Sequence, residues 1–419
     1  MRDVAPIPNQ SRFSWQRLAV ALSLSLAPLA SGVADTNQAQ IRIVSYGEGE
    51  NAYFAASVLP SASDELLMEV GKPVADVLIV VDTSASQSGD LGRESLSAAK
   101  QAIASLRPSD RVQVFAADVS ATALSEGLVP PDSSQVSQAL TALEERLPLG
   151  NTNMLTVLET VRGQLVSADR LHTRSIIYIG DAASVEGSAN AQRFAALVDA
   201  LRADHISVHS VAIGPSTNVE LMGVLANHTG GVIGVVNADD GNVASAIARR
   251  VTEAATLSPI WLERAEFTGA TTVAQGDRLP PLRVDRDSIF LGRIDASTEH
   301  VALFTEGRTP TSLVTIKAEA DLETSQPDFS FLPGLVSIAE KDDGLTLPTA
   351  GSHLLRQTAK MMAQRSDELV RASKLALKRG NKKGAKAVAD MALEADAEND
   401  EAKSIREATG TRLIIQNDG

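Results

Sequence analysis

The sequence predicts an α/β fold: a mostly parallel sheet flanked by helices, followed by a small β-sandwich and a C-terminal helical hairpin. Three observations carry this expectation. Strand and helix signals alternate from Val77 to about Thr256, the pattern of a parallel sheet with helices on both faces. Between Pro259 and about Leu347 the helical signals give way to short alternating runs separated by Pro and Gly turns, as in an antiparallel sandwich. From Ser352 onward apolar residues return at helical spacing.

Composition bounds the function. The 419 residues are 44% hydrophobic, ample for two or three domains. A formal net charge of −14, with no large basic block in the body of the chain, argues against nucleic acid and anionic membrane as principal partners. The absence of cysteine excludes disulfides, thiolate zinc sites and thiol catalysis. Aromatics at 3% leave little for a stacking surface.

Taken in order, residues 1–34 read as an export signal. Arg2, Arg12 and Arg17 precede the apolar Leu18–Ala27, which is short for a permanent span, and the small residues Ala30-Ser31-Gly32 and Gly32-Val33-Ala34 offer cleavage sites. A retained anchor is the alternative. The expected address is the periplasm, cell surface or extracellular space, most naturally of a bacterium. Residues 35–73 contain two strand signals, Gln40–Ser45 and Asn51–Leu59. These are expected to supply edge strands to the β-domain, with the α/β domain inserted between its parts.

Residues 74–256 form the α/β domain. Val77-Leu78-Ile79-Val80-Val81 reads as a strand buried on both faces. Further strands are expected at Arg111–Ala116, Ser175–Ile179, Ser207–Ile213 and Gly231–Val236. Helices are expected at Arg93–Leu106, Ser133–Leu143, Asn153–Val166, Ala189–Ala203, Asn218–His228 and Asp240–Ala255. Residues 257–348 are the β-sandwich, with runs at Leu282–Val284, Ser288–Leu291, Val301–Phe304 and Leu313–Ala318. Residues 349–410 are helical. Leu354, Leu355, Ala359 and Met362 lead to Leu369, Ala372, Leu375 and Ala376, then a turn at Arg379–Lys382 and a helix Gly384–Ala395, with a short third helix at Glu401–Ala408. Gly384, Ala385 and Ala392 are expected to let the helices pack closely. Residues 411–419 are a tail.

The candidate site follows the central strand. It ends in Asp82, with Ser84 and Ser86 at every second position; an extended loop points all three side chains the same way. They sit beyond the carboxyl end of a buried strand, where open α/β sheets bind ligands. The loop Leu147–Asn153 places Thr152 near a helix start, and Asp181 directly follows the buried strand SIIYI. Two carboxylates and three hydroxyls thus meet at one sheet edge. The six histidines show no zinc-type pairing, no G-x-S-x-G elbow or P-loop is present, and Asp342-Asp343-Gly344 lacks the rest of a calcium loop and reads as a turn.

The D-x-S-x-S loop, the Gly-x-Thr loop and the strand-terminal Asp181 resemble the metal-ion-dependent adhesion site of von Willebrand factor type A domains, whose sheet is Rossmann-like. The resemblance covers about Val74 to Ala255, including the turn Asn227-His228-Thr229-Gly230-Gly231. It implies Mg²⁺, with Mn²⁺ or Ca²⁺ as alternatives, bound directly by Ser84, Ser86 and Thr152. Asp82 and Asp181 would act through water or as close outer acceptors. It further implies a protein partner that supplies a carboxylate to the ion, as in adhesion or assembly of a cell-envelope complex, and no catalysis. Hydroxyl and carboxylate oxygens suit such a hard cation. Asp181 departs from the family pattern in being followed by Ala182-Ala183-Ser184 where glycine is common. The stretch Ala376–Ala402 is similar to a single tetratricopeptide-type hairpin. Two other readings use the same residues: a metal-dependent hydrolase or enzyme subunit, and a structural domain without an ion.

Overall fold

The computed structural model describes residues 36–49, 52–183, 191–236, 243–273, 278–295 and 298–410. The expected export signal and the C-terminal tail lie outside the described residues. Two sheets organise the chain.

The strands are β1 (Thr36–Tyr46), β2 (Tyr53–Pro60), β3 (Ala75–Asp82), β4 (Arg111–Ala117), β5 (Ala121–Ala123), β6 (Thr173–Gly180), β7 (Ile206–Ala212), β8 (Ile233–Val235), β9 (Trp261–Thr268), β10 (Ala270–Thr272), β11 (Ser288–Ile294), β12 (His300–Arg308) and β13 (Leu313–Asp321). The helices are α1 (Asp64–Gly71), α2 (Asp90–Ala104), α3 (Ser134–Glu145), α4 (Met154–Val166), α5 (Ala191–Ala203), α6 (Val219–Thr229), α7 (Val243–Ala255), α8 (Leu332–Glu340), α9 (Ser352–Lys378), α10 (Lys382–Ala395) and α11 (Asp400–Gly410).

The first sheet has the order β5-β4-β3-β6-β7-β8, parallel throughout except for β5, which runs antiparallel on β4. Every residue of β3 is buried. Its alternation divides the core in two: Val77, Ile79 and Val81 pack with Ala98 and Ala102 of α2 and Val251 of α7, while Leu78 and Val80 meet Met154, Leu158 and Val161 of α4. A strand that must satisfy two apolar layers has no polar face, which is why its sequence shows a continuous run rather than alternation.

The second sheet corrects the expected place of the first two strands. It is one seven-stranded sheet in the order β10-β11-β2-β1-β13-β12-β9, and β1 and β2 lie in its middle rather than at its edges. The first residues of β1 pair in parallel with β13, and Ala39 to Tyr46 pair antiparallel with β2. The two halves fold over a shared core that includes Ile43, Phe54, Phe290, Leu303 and Ile316. The Phe267 ring of edge strand β9 lies 5.6 Å from Phe54 and 5.4 Å from Phe290, across the fold. The α/β domain is inserted between β2 and β9. The expected strand at Leu282–Val284 forms only a bridge, Ile260 to Leu282, because Arg283 turns into the contact between the two sheets. Two helices fall where none is expected, α1 and α8; α8 covers Val44, Ala55, Ile289 and Leu291 on the outer face of the second sheet.

The C-terminal helices pack through small residues. Ala385, Ala389 and Ala392 are fully buried, and Ser373 and Ser366 of α9 donate to the carbonyls of Ala385 and Ala392 at 2.6 and 2.9 Å. Gly384 is not among the buried positions; its N–H receives the Asn381 side-chain cap at 2.8 Å. No helix among the described residues is long and apolar enough to cross a membrane.

Two arginines join the domains. Arg283, buried, donates to Gly230 O and Ala254 O at 2.8 Å each, and its fork pairs with Asp285 at 2.6 Å. Arg286 donates to Gly231 O at 2.9 Å and Ala226 O at 3.2 Å. These carbonyls close the C-terminal ends of α6 and α7, where backbone acceptors lack helical partners and a cation is favoured. Gly231 is required here, since a Cβ would fall 1.8 Å from Val208 O.

Arg283→Ala removes the buried guanidinium that donates to Gly230 O and Ala254 O, so it is expected to lower unfolding stability in urea by about 2 kcal/mol. A second expectation concerns acid. Burial, then the nearby Arg202, holds His228 down to about 4 from its ordinary 6.5, and its Nε2 contacts Gly344 O and Leu345 O at 3.1 and 3.0 Å. Below 6.5 the unfolded chain takes up a proton that folded His228 refuses. Stability is therefore full above 6.5 and falls as pH drops toward 4, by about 3 kcal/mol for this ring. His228→Gln keeps a donor but cannot titrate; its urea midpoint should fall less between pH 7 and 4.5 than that of the unsubstituted chain.

Candidate metal centre

The site begins where β3 ends. Asp82 is 2% exposed, a carboxylate carried to the last position of a buried strand. Its Oδ1 accepts from Ser84 N at 2.9 Å and from Thr152 Oγ1 at 2.8 Å, and its Oδ2 accepts from the Tyr178 hydroxyl at 2.5 Å. All three donors are uncharged. Burial accordingly pushes the Asp82 carboxyl above its ordinary range, against the opposing pull of these hydrogen bonds. Burial, followed by the charge of Asp82, pushes the fully buried Tyr178 phenol well up as well. Among the described residues no positive group is bonded to Asp82.

The loop after β3 does not stay extended: Ala85–Gln87 forms a 3₁₀ turn. The serines still meet, with Ser84 Oγ 2.9 Å from Ser86 Oγ. The turn closes through its own Gln87 N–H donating to Ser84 O and is pinned from outside by Ala85 N donating to Gly150 O, both at 3.0 Å. Thr152 is 3% exposed and immediately precedes Asn153, whose side chain caps α4 through Thr156 N at 3.0 Å. Four of the expected residues, Asp82, Ser84, Ser86 and Thr152, are thus brought together. Ser84 and Thr152 are buried and Ser86 lies on the exposed rim.

Asp181 stands at the end of the neighbouring strand β6, 2% exposed. Its Oδ1 accepts from Ala183 N at 3.0 Å and its carbonyl from Asn218 N at 2.7 Å. None of its described hydrogen bonds runs to the other four. It lies close enough to Tyr178 for its charge to add to the upward push on that phenol. Ala182, where the family often has glycine, adopts a left-handed φ of 50° and is fully buried. The backbone keeps the conformation a glycine would favour, at a cost of about 1–2 kcal/mol for a residue with a Cβ.

Sequence reasoning missed two residues. Tyr178 is paired with Val80 across β3 and β6, which sets its hydroxyl against Asp82 farther along the neighbouring strand. The signal was present: a phenol inside a run buried on both faces must find a polar partner. Gly180 has a φ of 155°, and a Cβ there would lie 2.3 Å from Asp82 Cβ, so only glycine lets β6 pass so close.

The donor set fits a small hard cation. Ser84 Oγ and Ser86 Oγ are hydrogen-bonded to each other at 2.9 Å, so the two hydroxyl oxygens stand close enough together to serve one cation. Among the described residues no group of three or more His, Cys, Asp or Glu is placed to hold a metal. Asp342 accepts from Thr346 N and Oγ1 at 3.2 and 2.6 Å, consistent with a turn. The histidines are dispersed: His205 stacks on Trp261 with ring centroids 5.0 Å apart, His209 bonds Ser207 Oγ at 3.0 Å, and His172 contacts Asp76 at 3.0 Å.

Residues 75–234 match the family model described as the von Willebrand factor type A domain. Among solved structures, the chain is similar to a von Willebrand factor type A protein from Catenulispora acidiphila, with a TM-score of 0.52 and 13% identity over 90% of this chain and 91% of that one. It is also similar to the ArnB paralog VWA2 from Sulfolobus acidocaldarius, with a TM-score of 0.42 and 14% identity over 90% and 93% of the two chains. No curated protein matches the sequence. The matched segment has the von Willebrand factor type A fold, as the resemblance implies, in a family that often mediates protein–protein interaction.

Tyr178→Phe removes the donor to Asp82 Oδ2 and leaves a buried carboxylate oxygen unmet. Thermal unfolding in chelator should show a loss of about 2 kcal/mol, while a surface Tyr→Phe change should cost nothing measurable.

Proposed function

We propose that this chain is an exported, non-enzymatic protein-binding module. On this reading its type A domain holds Mg²⁺ through the hydroxyls of Ser84, Ser86 and Thr152, with Asp82 and Asp181 as outer or water-mediated acceptors. The ion, when bound, supplies an electrophilic position for a carboxylate from a partner protein. Mn²⁺ or Ca²⁺ would serve the same donor set. The observation that carries the proposal is Asp82: buried, bonded among the described residues to uncharged donors, and followed by two serine hydroxyls that meet at 2.9 Å.

The residues divide the work. Asp82 orients Ser84 and Thr152 through Oδ1, and Tyr178 holds its other oxygen, so the carboxylate is fixed before any cation arrives. Ser86, on the exposed rim, marks the side from which a partner approaches. The described hydrogen bonds of these side chains run to hydroxyls, amides and a phenol rather than to a histidine, lysine or glutamate, which supports docking over proton transfer. We assign the helical tail, whose α9–α10 pair resembles one tetratricopeptide unit, to positioning the module within a cell-envelope assembly.

A ligand that binds only the folded state stabilises it by about 2.7 kcal/mol at one hundred times its Kd. Mg²⁺ should therefore raise the Tm, and Ser84→Ala or Asp82→Asn should remove the rise. Crosslinking in native cells should capture a partner that is lost with chelator and with Ser84→Ala. No thermal shift with Mg²⁺ or Mn²⁺, together with capture unaffected by chelator, would sink the proposal.

A further inference from the structure

We infer that the partner segment supplying the carboxylate carries an aliphatic side chain beside its acidic residue, seated on a shelf formed by Val119, Leu147 and Leu149. The inference rests on the metal reading above and adds the specificity that reading lacks.

The shelf is conspicuous by exposure. Leu147 is 76% exposed, Leu149 66% and Val119 63%. Among the described residues the other large apolar side chains exposed beyond 60% are Met68 at 72% and Leu313 at 70%, on α1 and at the start of β13, outside the α/β domain. The three shelf residues come from two loops that are contiguous: Val119 Cγ2 lies 3.1 Å from the place a Cβ on Gly150 would occupy. Scattered exposed leucines need no explanation, but three exposed aliphatic residues on two adjoining loops, both bonded to the backbone of the Asp82–Ser86 segment or its neighbour, invite one.

Both loops are tied to the site. Leu149 N donates to Thr83 O at 3.1 Å, Gly150 O accepts from Ala85 N at 3.0 Å, and Asn153 N donates to Asp118 O at 3.1 Å. Arg146 bridges them, with Nε on Thr83 Oγ1 at 3.1 Å and Nη2 on Asp118 Oδ2 at 2.8 Å. The apolar side chains are therefore presented on fixed backbone continuous with the Ser84–Ser86 turn, so little ordering remains to be done on binding. The same bonds engage the Arg146 guanidinium at the rim. A second acidic group on the partner would find that cation already paired, whereas an aliphatic side chain would cover surface that water now wets.

The test uses the full chain over immobilised decapeptides of glycine and serine carrying one central Glu, its neighbour either Leu or Ser, with Gln-for-Glu controls. In Mg²⁺ the Glu-Leu peptide should be retained about tenfold more strongly than Glu-Ser, as expected from partly burying one aliphatic side chain. The exposed double change Leu147→Ser/Leu149→Ser should bring that ratio close to one while keeping its own Mg²⁺ thermal shift and Mg²⁺-dependent retention of Glu peptides. A Mg²⁺ thermal shift with equal retention of both peptides, or with retention of neither, overturns the shelf and leaves the metal reading standing. Absence of the thermal shift counts against the metal reading itself. A leucine preference that survives chelator would also overturn the inference, because the shelf would then act apart from the ion.

Discussion

A carboxylate buried at the end of a buried strand is the constraint around which the α/β domain is arranged. Desolvating Asp82 costs several kcal/mol unless donors replace the lost water. Three separate elements answer it: the turn after β3 through Ser84 N, the loop before α4 through Thr152, and β6 through Tyr178. Each bond fixes a piece of backbone as well as a side chain. The close passage of β6 at Gly180 and the pinning of Ala85 by Gly150 follow from the same convergence. What these donors do not bring is a positive charge, and that shortfall makes the cluster more than a capped sheet edge.

The second organising interaction is the pair Arg283 and Arg286, which take the carbonyls at the ends of α6 and α7. Ala226 O and Ala254 O also accept backbone N–H groups, but a hydrophobic contact alone would not supply donors to Gly230 O and Gly231 O at this junction. The guanidinium fork meets them and carries its own counter-charge in Asp285. α7 in turn touches α2 through Ser97 and Ser245, whose hydroxyls are 2.9 Å apart, and both helices cover the same face of β3. The inserted domain is thus held to the second sheet by the ends of helices that also complete its core.

Much of this was legible in the sequence because it depends on local pattern. The run Val77–Val81, the strand SIIYI and the apolar spacing of the helices state their layers directly, and Asp82, Ser84, Ser86 and Thr152 stand where strand ends and helix starts place them. The unread part depends on pairing between distant residues. The parallel pairing between the start of β1 and β13 joins Thr36 to Thr315, segments on either side of the inserted domain, and no local alternation announces it. Tyr178 could be assigned to Asp82 only once the register Val80 to Tyr178 was known. Helices α1 and α8 are short, and their periodicity is not separable from that of neighbouring strands. Arg283 sits in an alternating Leu-Arg-Val triplet that suggests a strand; its role comes from the carbonyls it meets.

The topology also explains why the site is left open. In a parallel sheet with crossover helices, strands run one way and helices return the other, so helix C-termini gather at the edge where strands begin. The chain enters the α/β domain at β3 and leaves after α7, both at that edge, and Ser258 N there donates to Val70 O at 2.8 Å. Arg283 and Arg286 bind at the same edge. Asp82, Ser84, Ser86, Thr152 and Asp181 lie at the other, where strands end. Inserting the domain by its strand-starting edge places both covalent links and the Arg283 and Arg286 bonds away from the edge that carries these five residues, and Ser86 stays exposed there.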